Sequence, residues 1–184
     1  MKKTLERLEE QQLVIRAQSG DGLAFRQLVE SYDRRLWYFV RRMLDDEQRV
    51  ADVLQEVWLN VFRSLYRLGS PAAFRVWVYR IAHDRAISEL RRTGREIPAE
   101  ALGDHDLPAA DSSDADMAEE RAELVHKGLS QLAIEHRRVL TLLYLEQMSI
   151  QEISEVLGCN PGTVKSRLHY ARKALADWLR EQNL

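Results

Sequence analysis

The chain has one cysteine, Cys159, in 184 residues. It can therefore form no internal disulfide and no cysteine-based zinc site. Its five histidines, at 83, 105, 126, 136 and 169, show no metal-ligand spacing. No nucleophile–base pair and no phosphate-cradling loop is visible, so the expectation is a non-enzyme without metal or cofactor. No apolar run approaches the ~20 residues of a membrane span. The first residues, MKKTLERLEEQQ, are charged and lack the apolar stretch of a signal peptide, so a cytoplasmic protein is expected. Strand alternation is absent as well. What remains is helical periodicity in nearly every segment outside the middle of the chain. At 45% hydrophobic and 30% charged, the chain can bury a real core.

The formal charge of −2 averages over unlike parts. Residues 96–123 carry ten of the 29 acids and one of the 27 bases (Arg121), so the rest has 26 bases against 19 acids. An acidic segment thus joins two basic parts. The stretch TGREIPAEALGDHDLPAADSSDADM has two Gly, two Pro and little apolar content, and it reads as a linker over 96–118. It divides the chain into a first domain over 1–95 and a second over 119–184. Extended, a linker of this length spans about 70 Å, longer than one ~35 Å turn of DNA.

The most informative stretch is SIQEISEVLGCNPGTVKSRLHYARKAL, residues 149–175. Ser149 and Glu152 form a capping box that starts one helix. Ile153 and Leu157 make its inner stripe, and Gly158 ends it in the left-handed conformation. Asn160 and Pro161 suit the start of a second helix. There Val164, Leu168, Ala171, Leu175 and Trp178 share one face, while Lys165, Ser166, His169, Arg172 and Lys173 fall on the other. Arg167 lies nearer the core edge, suited to a phosphate or an internal ion pair. Two short helices with a basic outer face form the helix-turn-helix that enters a DNA major groove. An ordinary helical hairpin with a solvated basic face is the alternative.

The first domain reads as four helices. One covers about 4–18. A second starts at Asp21-Gly22 and points Phe25, Leu28, Val29, Tyr32, Leu36 and Phe39 inward. A third runs from 47 to 67, with Val53, Leu54, Val57, Trp58, Val61, Phe62 and Leu65 toward the core. Its opposite arc is Asp52, Gln55, Glu56, Leu59, Asn60 and Arg63, with an apolar Leu59 among polar neighbours. That arc is either a protein interface or a solvated face. A fourth helix starts just after Pro71 and ends near Arg92, with Phe74, Val78 and Ile81 inward. Beside them Trp77, Arg80, Asp84, Ser88 and Arg91 form a stripe in which an aromatic and cations alternate. Such a stripe suits single-stranded nucleic acid, unless Trp77 is core and Arg80 merely pairs with Asp84.

In this order and at this length, the pieces resemble the extracytoplasmic-function sigma factors. These are the small two-domain initiation subunits of bacterial RNA polymerase within the sigma-70 family. EQMSIQEISEVLGCNPGTVKSRLHYARKAL resembles the helix-turn-helix of region 4. ADVLQEVWLNVF is similar to the region 2 helix that binds the clamp helices of the polymerase largest subunit. FRVWVYRIAHDRAISELRR is similar to the helix that melts and reads the −10 element. The resemblance implies that Asp52, Gln55, Glu56 and Leu59 bind core polymerase. It implies that Trp77, Tyr79, Arg80, Asp84, Arg91 and Arg92 contact the opened −10 strand, and that loop Leu68–Pro71 helps to hold a flipped base. Thr163, Lys165, Ser166, His169, Arg172 and Lys173 would face the −35 element. Promoter DNA, core polymerase and an anti-sigma factor are the implied partners. The acidic linker takes the place of a family segment that threads toward the RNA path.

This chain departs from the family pattern in three places. Arg49-Val50-Ala51-Asp52 stands where an acidic cluster is usual, so a weaker electrostatic contact with the clamp helices is expected. Negative charge added nearby, for example by phosphorylation of Ser64, would restore it. Asp84 and Ser88 stand where Asn and Asp are usual; a carboxylate accepts but cannot donate, so base preference is expected to differ. Ala133-Ile134 replaces a common Leu-Pro and alters only a helix start. A polymerase-independent helix-turn-helix regulator, and an adaptor whose first domain only binds protein, are the alternative readings.

Overall fold

The computed structural model describes residues 2–44, 46–93 and 127–181, and these are helical with no strand among them. The chain divides into two compact units, Met1–Ile97 and Pro98–Leu184. The expected linker over 96–118 lies outside the described residues, as does the expected restart of helix at Glu119.

The first unit contains α1 (Lys2–Gln18), α2 (Gly22–Arg41), α3 (Glu47–Ser64) and α4 (Phe74–Arg92). Asp21 caps α2: its carboxylate accepts from the backbone N–H groups of Leu23 and Ala24, and from Arg16 Nη2 at 2.6 Å. The Ala24 N–H, with Arg16 beside it, holds this carboxyl below its ordinary range. Asp46 caps α3 in the same way through Gln48 and Arg49. The third helix stops at Ser64 and tightens into a 3₁₀ turn over Leu65–Arg67, where sequence periodicity suggested continuous helix. Pro71 opens a second 3₁₀ turn, Pro71–Ala73, that feeds α4.

α1 packs on α2, and α3 packs on both α2 and α4. Val14, Leu28, Leu36, Phe39, Val57, Val61, Phe74 and Val78 are buried between them. Tyr32 sits among these, with its ring 5.4 Å from Phe74 and its hydroxyl donating to Glu10. Burial, with the Glu10 carboxylate beside it, raises this phenol's pKa. Two expectations fail here. Phe62 is 67% exposed and lies edge-on against Phe25, with ring centroids 5.3 Å apart, instead of entering the core. Tyr79 is fully buried, its ring 5.4 Å from Phe39 and 6.4 Å from Tyr32, so it belongs to the core and faces no DNA strand.

The second unit comprises helical residues 127–131, α5 (Ile134–Leu140), a π-helical turn (Thr141–Leu145), α6 (Ile150–Leu157) and α7 (Pro161–Glu181). Val139, Leu142, Met148, Ile153, Val156, Val164, Leu168 and Ala171 make its core. Leu175 and Trp178, expected on the buried face of α7, are half-buried and meet Gly128. A Cβ at Gly128 would come within 2.7 Å of Leu175 Cδ1 and 2.9 Å of Trp178 Cε3, so glycine allows this close approach.

The capping box forms as the sequence suggests. Ser149 Oγ accepts from Glu152 N, and the Glu152 carboxylate accepts from Ser149 N at 2.8 Å. Gly158 then ends α6 at φ 63°, ψ 34°. Nothing lies within 4 Å of where its Cβ would stand. Gly158→Ala therefore costs backbone strain alone, about 1 kcal/mol. The check is a lower denaturation midpoint for the second unit, with no loss of helix content below the transition.

Candidate polymerase and nucleic-acid interfaces

On α3, Asp52, Gln55, Glu56 and Leu59 are all solvent-exposed along one face. Leu59 keeps 46% of its surface accessible. The Asp46 cap fixes where this face begins, and the buried row Val50, Val53, Val57 and Val61 fixes which way it points. The face borders a groove against α4 that is lined by Asp52, Gln55, Glu56, Arg85, Glu89 and Arg92. Cations partly neutralise it. Arg85 Nη1 lies 3.5 Å from Glu56 Oε2. Arg49 Nε lies 3.4 Å from Asp46 Oδ2 and 4.0 Å from Glu89 Oε1. Glu89 receives a two-pronged contact from Arg92, Nε and Nη2 each at 2.8 Å. That contact, led by the hydrogen bond from Arg92, holds the Glu89 carboxyl below its ordinary range and raises the Arg92 guanidinium. Such exposed pairs contribute little to stability. Their consequence is electrostatic: the arc presents less net negative charge than Asp52 and Glu56 alone would give it. Sequence reasoning missed this network, although Arg85, Glu89 and Arg92 at steps of four and three were legible as one stripe of α4.

The residues expected at the −10 strand are thus not one cluster. Tyr79 is core. Arg92 turns into the groove beside α3. Arg80, Asp84 and Arg91 are exposed on α4, with Trp77 half-buried and its ring 6.1 Å from Phe74. Arg80 makes no ion pair among the described residues, and Asp84 Oδ1 instead lies 3.1 Å from His83 Nδ1. Ser88 Oγ donates to the Asp84 carbonyl at 2.8 Å. Ser64 is half-buried and its hydroxyl donates to the Asn60 carbonyl at 2.5 Å, which leaves it poorly presented for phosphorylation.

In the second unit the outer face of α7 holds Lys165, His169, Arg172 and Lys173 exposed, with Thr163 and Ser166 half-buried at its start. Ser166 Oγ donates to the Thr163 carbonyl at 3.1 Å, which orients both near the helix N-terminus. Arg167 points toward the turn and donates to Cys159 Sγ at 3.7 Å. Arg172 is held from outside the helix: its Nε donates to Tyr144 Oη at 3.0 Å, and its guanidinium carbon sits 5.7 Å from the Tyr144 ring centre. Tyr144, 57% exposed on the π-helical turn, was not among the expected residues. A π turn breaks the 3.6-residue period, so periodicity carried no signal for it.

One unit thus exposes a basic helix face, and the other a mixed acidic–apolar face beside an exposed cationic helix. Among the described residues no helix is long and apolar enough to cross a membrane, and no residue group could hold a metal ion. The family models named Sigma-70 region 2 and Sigma-70, region 4 match residues 28–96 and 122–175. The RNA polymerase sigma-H factor of Pseudomonas aeruginosa is 36% identical over 177 residues, covering 91% of this chain and 92% of that protein. The ECF RNA polymerase sigma-E factor of Escherichia coli K12 is 32% identical over 180 residues, covering 92% and 94%. The chain belongs to the sigma-70 family, among its extracytoplasmic-function sigma factors. CnrH, solved in complex with the cytosolic domain of CnrY, has 25% identity, a TM-score of 0.67 and coverage of 94% and 97%. The sigma factor RpoE of Bartonella quintana, solved with the anti-sigma factor NepR, shares the fold at 22% identity and a TM-score of 0.62, covering 85% and 96%.

Proposed function

We propose that the chain joins core RNA polymerase through the Asp52–Leu59 face of α3 and carries it to promoters. There α7 reads the −35 element in the major groove. Trp77, Arg80, Asp84 and Arg91 of α4 take the opened −10 strand, where an aromatic stacks and cations meet phosphates. No bond chemistry is needed, because recognition and strand separation are the whole task. The observation that carries this reading is the exposed Leu59 flanked by Gln55, Glu56 and Asp52. An apolar centre with a polar rim is the anatomy of a protein interface.

An anti-sigma factor is a further proposed partner, supported by the complexes in which CnrH and RpoE were solved. It would cover these same faces and keep the chain from the polymerase.

The test is core dependence of DNA opening. Assembled with core polymerase, the chain is expected to make −10 thymines reactive to permanganate on a matching promoter; alone it leaves them protected. Tight duplex binding by the chain alone, with no opening when core is added, would favour the regulator.

A further inference from the structure

Gln18 is the last residue of α1, far in sequence from the loop between α3 and α4, yet its side chain holds that loop. Its Nε2 donates to the carbonyl oxygens of Leu65 at 3.0 Å and Leu68 at 2.8 Å. The amide nitrogen carries two hydrogens, one for each carbonyl. The two carbonyls bracket the first 3₁₀ turn, Leu65 opening it and Leu68 following it, and Leu68 N also returns to the Leu65 carbonyl at 3.0 Å. From Leu68 the backbone is extended (φ −69°, ψ 108°), and Ser70 is extended again (φ −131°, ψ 117°) before Pro71 opens the next turn. Nothing lies within 4 Å of a Cβ built at Gly69. The loop thus stands out between two single turns, and α1 packs against both of them. Gln18 pins its near end.

We propose that Gln18 is a positioning residue for promoter reading, fixing the loop Leu68–Pro71 at the height needed to accept one unstacked base. This rests on the reading of that loop as the base-holding element. A base taken out of the stack is recognised by a pocket of defined width. A loop free to shift at its entry widens the pocket and blurs the choice among bases. The residue type follows from the task. Glu offers no donor and would face two carbonyls with a charge. Asn is one methylene too short to reach both. Met keeps the volume and removes both bonds.

The experiment uses the full chain assembled with core polymerase on a promoter library randomised through the −10 element, read by sequencing the transcripts. Leu68→Ala tests the loop itself and should flatten base preference at one −10 position. Gln18→Met should lower preference at that same position severalfold, up to the ~30-fold scale of two lost net hydrogen bonds, with the −35 preference unchanged. The unchanged −35 preference also reports that the variant is folded and bound to polymerase. If Leu68→Ala flattens that position and Gln18→Met does not, the role of Gln18 is wrong and the loop reading stands. If neither variant alters any position, the loop reading fails and the proposal with it. Equal loss at every −10 position with Gln18→Met would make Gln18 a structural residue only and overturn the proposal.

Discussion

Replacing Lys165 and Arg172 together by alanine should lower the affinity of the polymerase-bound chain for a promoter with an intact −35 element by roughly 100-fold. Both side chains are exposed on one face of α7, so their removal leaves the core row Val164, Leu168 and Ala171 untouched. Each cation that meets a phosphate releases counterions, and the slope of log affinity against log salt should fall by about 2 if both do so. Should one of them read a base edge instead, specificity at one −35 position relaxes and the slope changes less. Arg172 is the better candidate for a fixed contact, because Tyr144 Oη accepts from its Nε at 3.0 Å and restricts its rotamers. Binding measured across a salt series on matched and −35-scrambled promoters checks this. An unchanged affinity for the double variant would remove α7 from the DNA.

The second large effect lies on the other unit. Leu59→Asp should weaken binding to core polymerase by about 30-fold or more, the scale of an interface hot spot. The substitution replaces the apolar centre of the face with a carboxylate, whose desolvation on binding is costly. Leu59 is 46% exposed in the free chain, so the fold should not lose stability with it. The opposite direction is available at the start of the same helix. Arg49 stands where the family resemblance leads to an expectation of acid, and it sits within 4.0 Å of Asp46 and Glu89. Arg49→Asp with Ala51→Glu should tighten core binding severalfold at low salt, with the gain fading as salt rises. Unchanged or weaker binding would show that the internal network does not limit this interface.

Much of this was legible in the sequence where punctuation and period agree. Ser149 and Glu152, Gly158 and Pro161 each mark a helix end, and between them the face of α7 follows from a single 3.6-residue count. The α3 arc was legible for the same reason, because Asp46 and the valine row fix its phase. The failures fall where helices pack on more than one neighbour. α4 buries Phe74, Val78, Tyr79, Ala82 and His83, an arc broad enough that Tyr79 could not be told from the exposed Arg80 beside it. Arg91 and Arg92 look equivalent in sequence, yet one residue step turns a side chain by about 100°. Arg91 stays on the exposed stripe while Arg92 closes on Glu89. Phe62 was miscounted because the broad apolar arc of α3 exceeds what the core takes in; its ring leans on Phe25 at the edge. Tyr144 and Gln18 left no trace in the pattern, since a π turn breaks the period and side-chain bonds to distant carbonyls have none.

Run-off transcription with purified core polymerase over a promoter library shows whether one chain joins two DNA readings to polymerase binding. The expected result is transcripts that depend on added chain and share two sequence elements, one upstream and one at the melted region. At limiting chain, Leu59→Asp should reduce them sharply, and Lys165→Ala with Arg172→Ala should erase only the upstream preference. No transcript above core alone, or transcripts that Leu59→Asp leaves unchanged, would contradict this role of the chain.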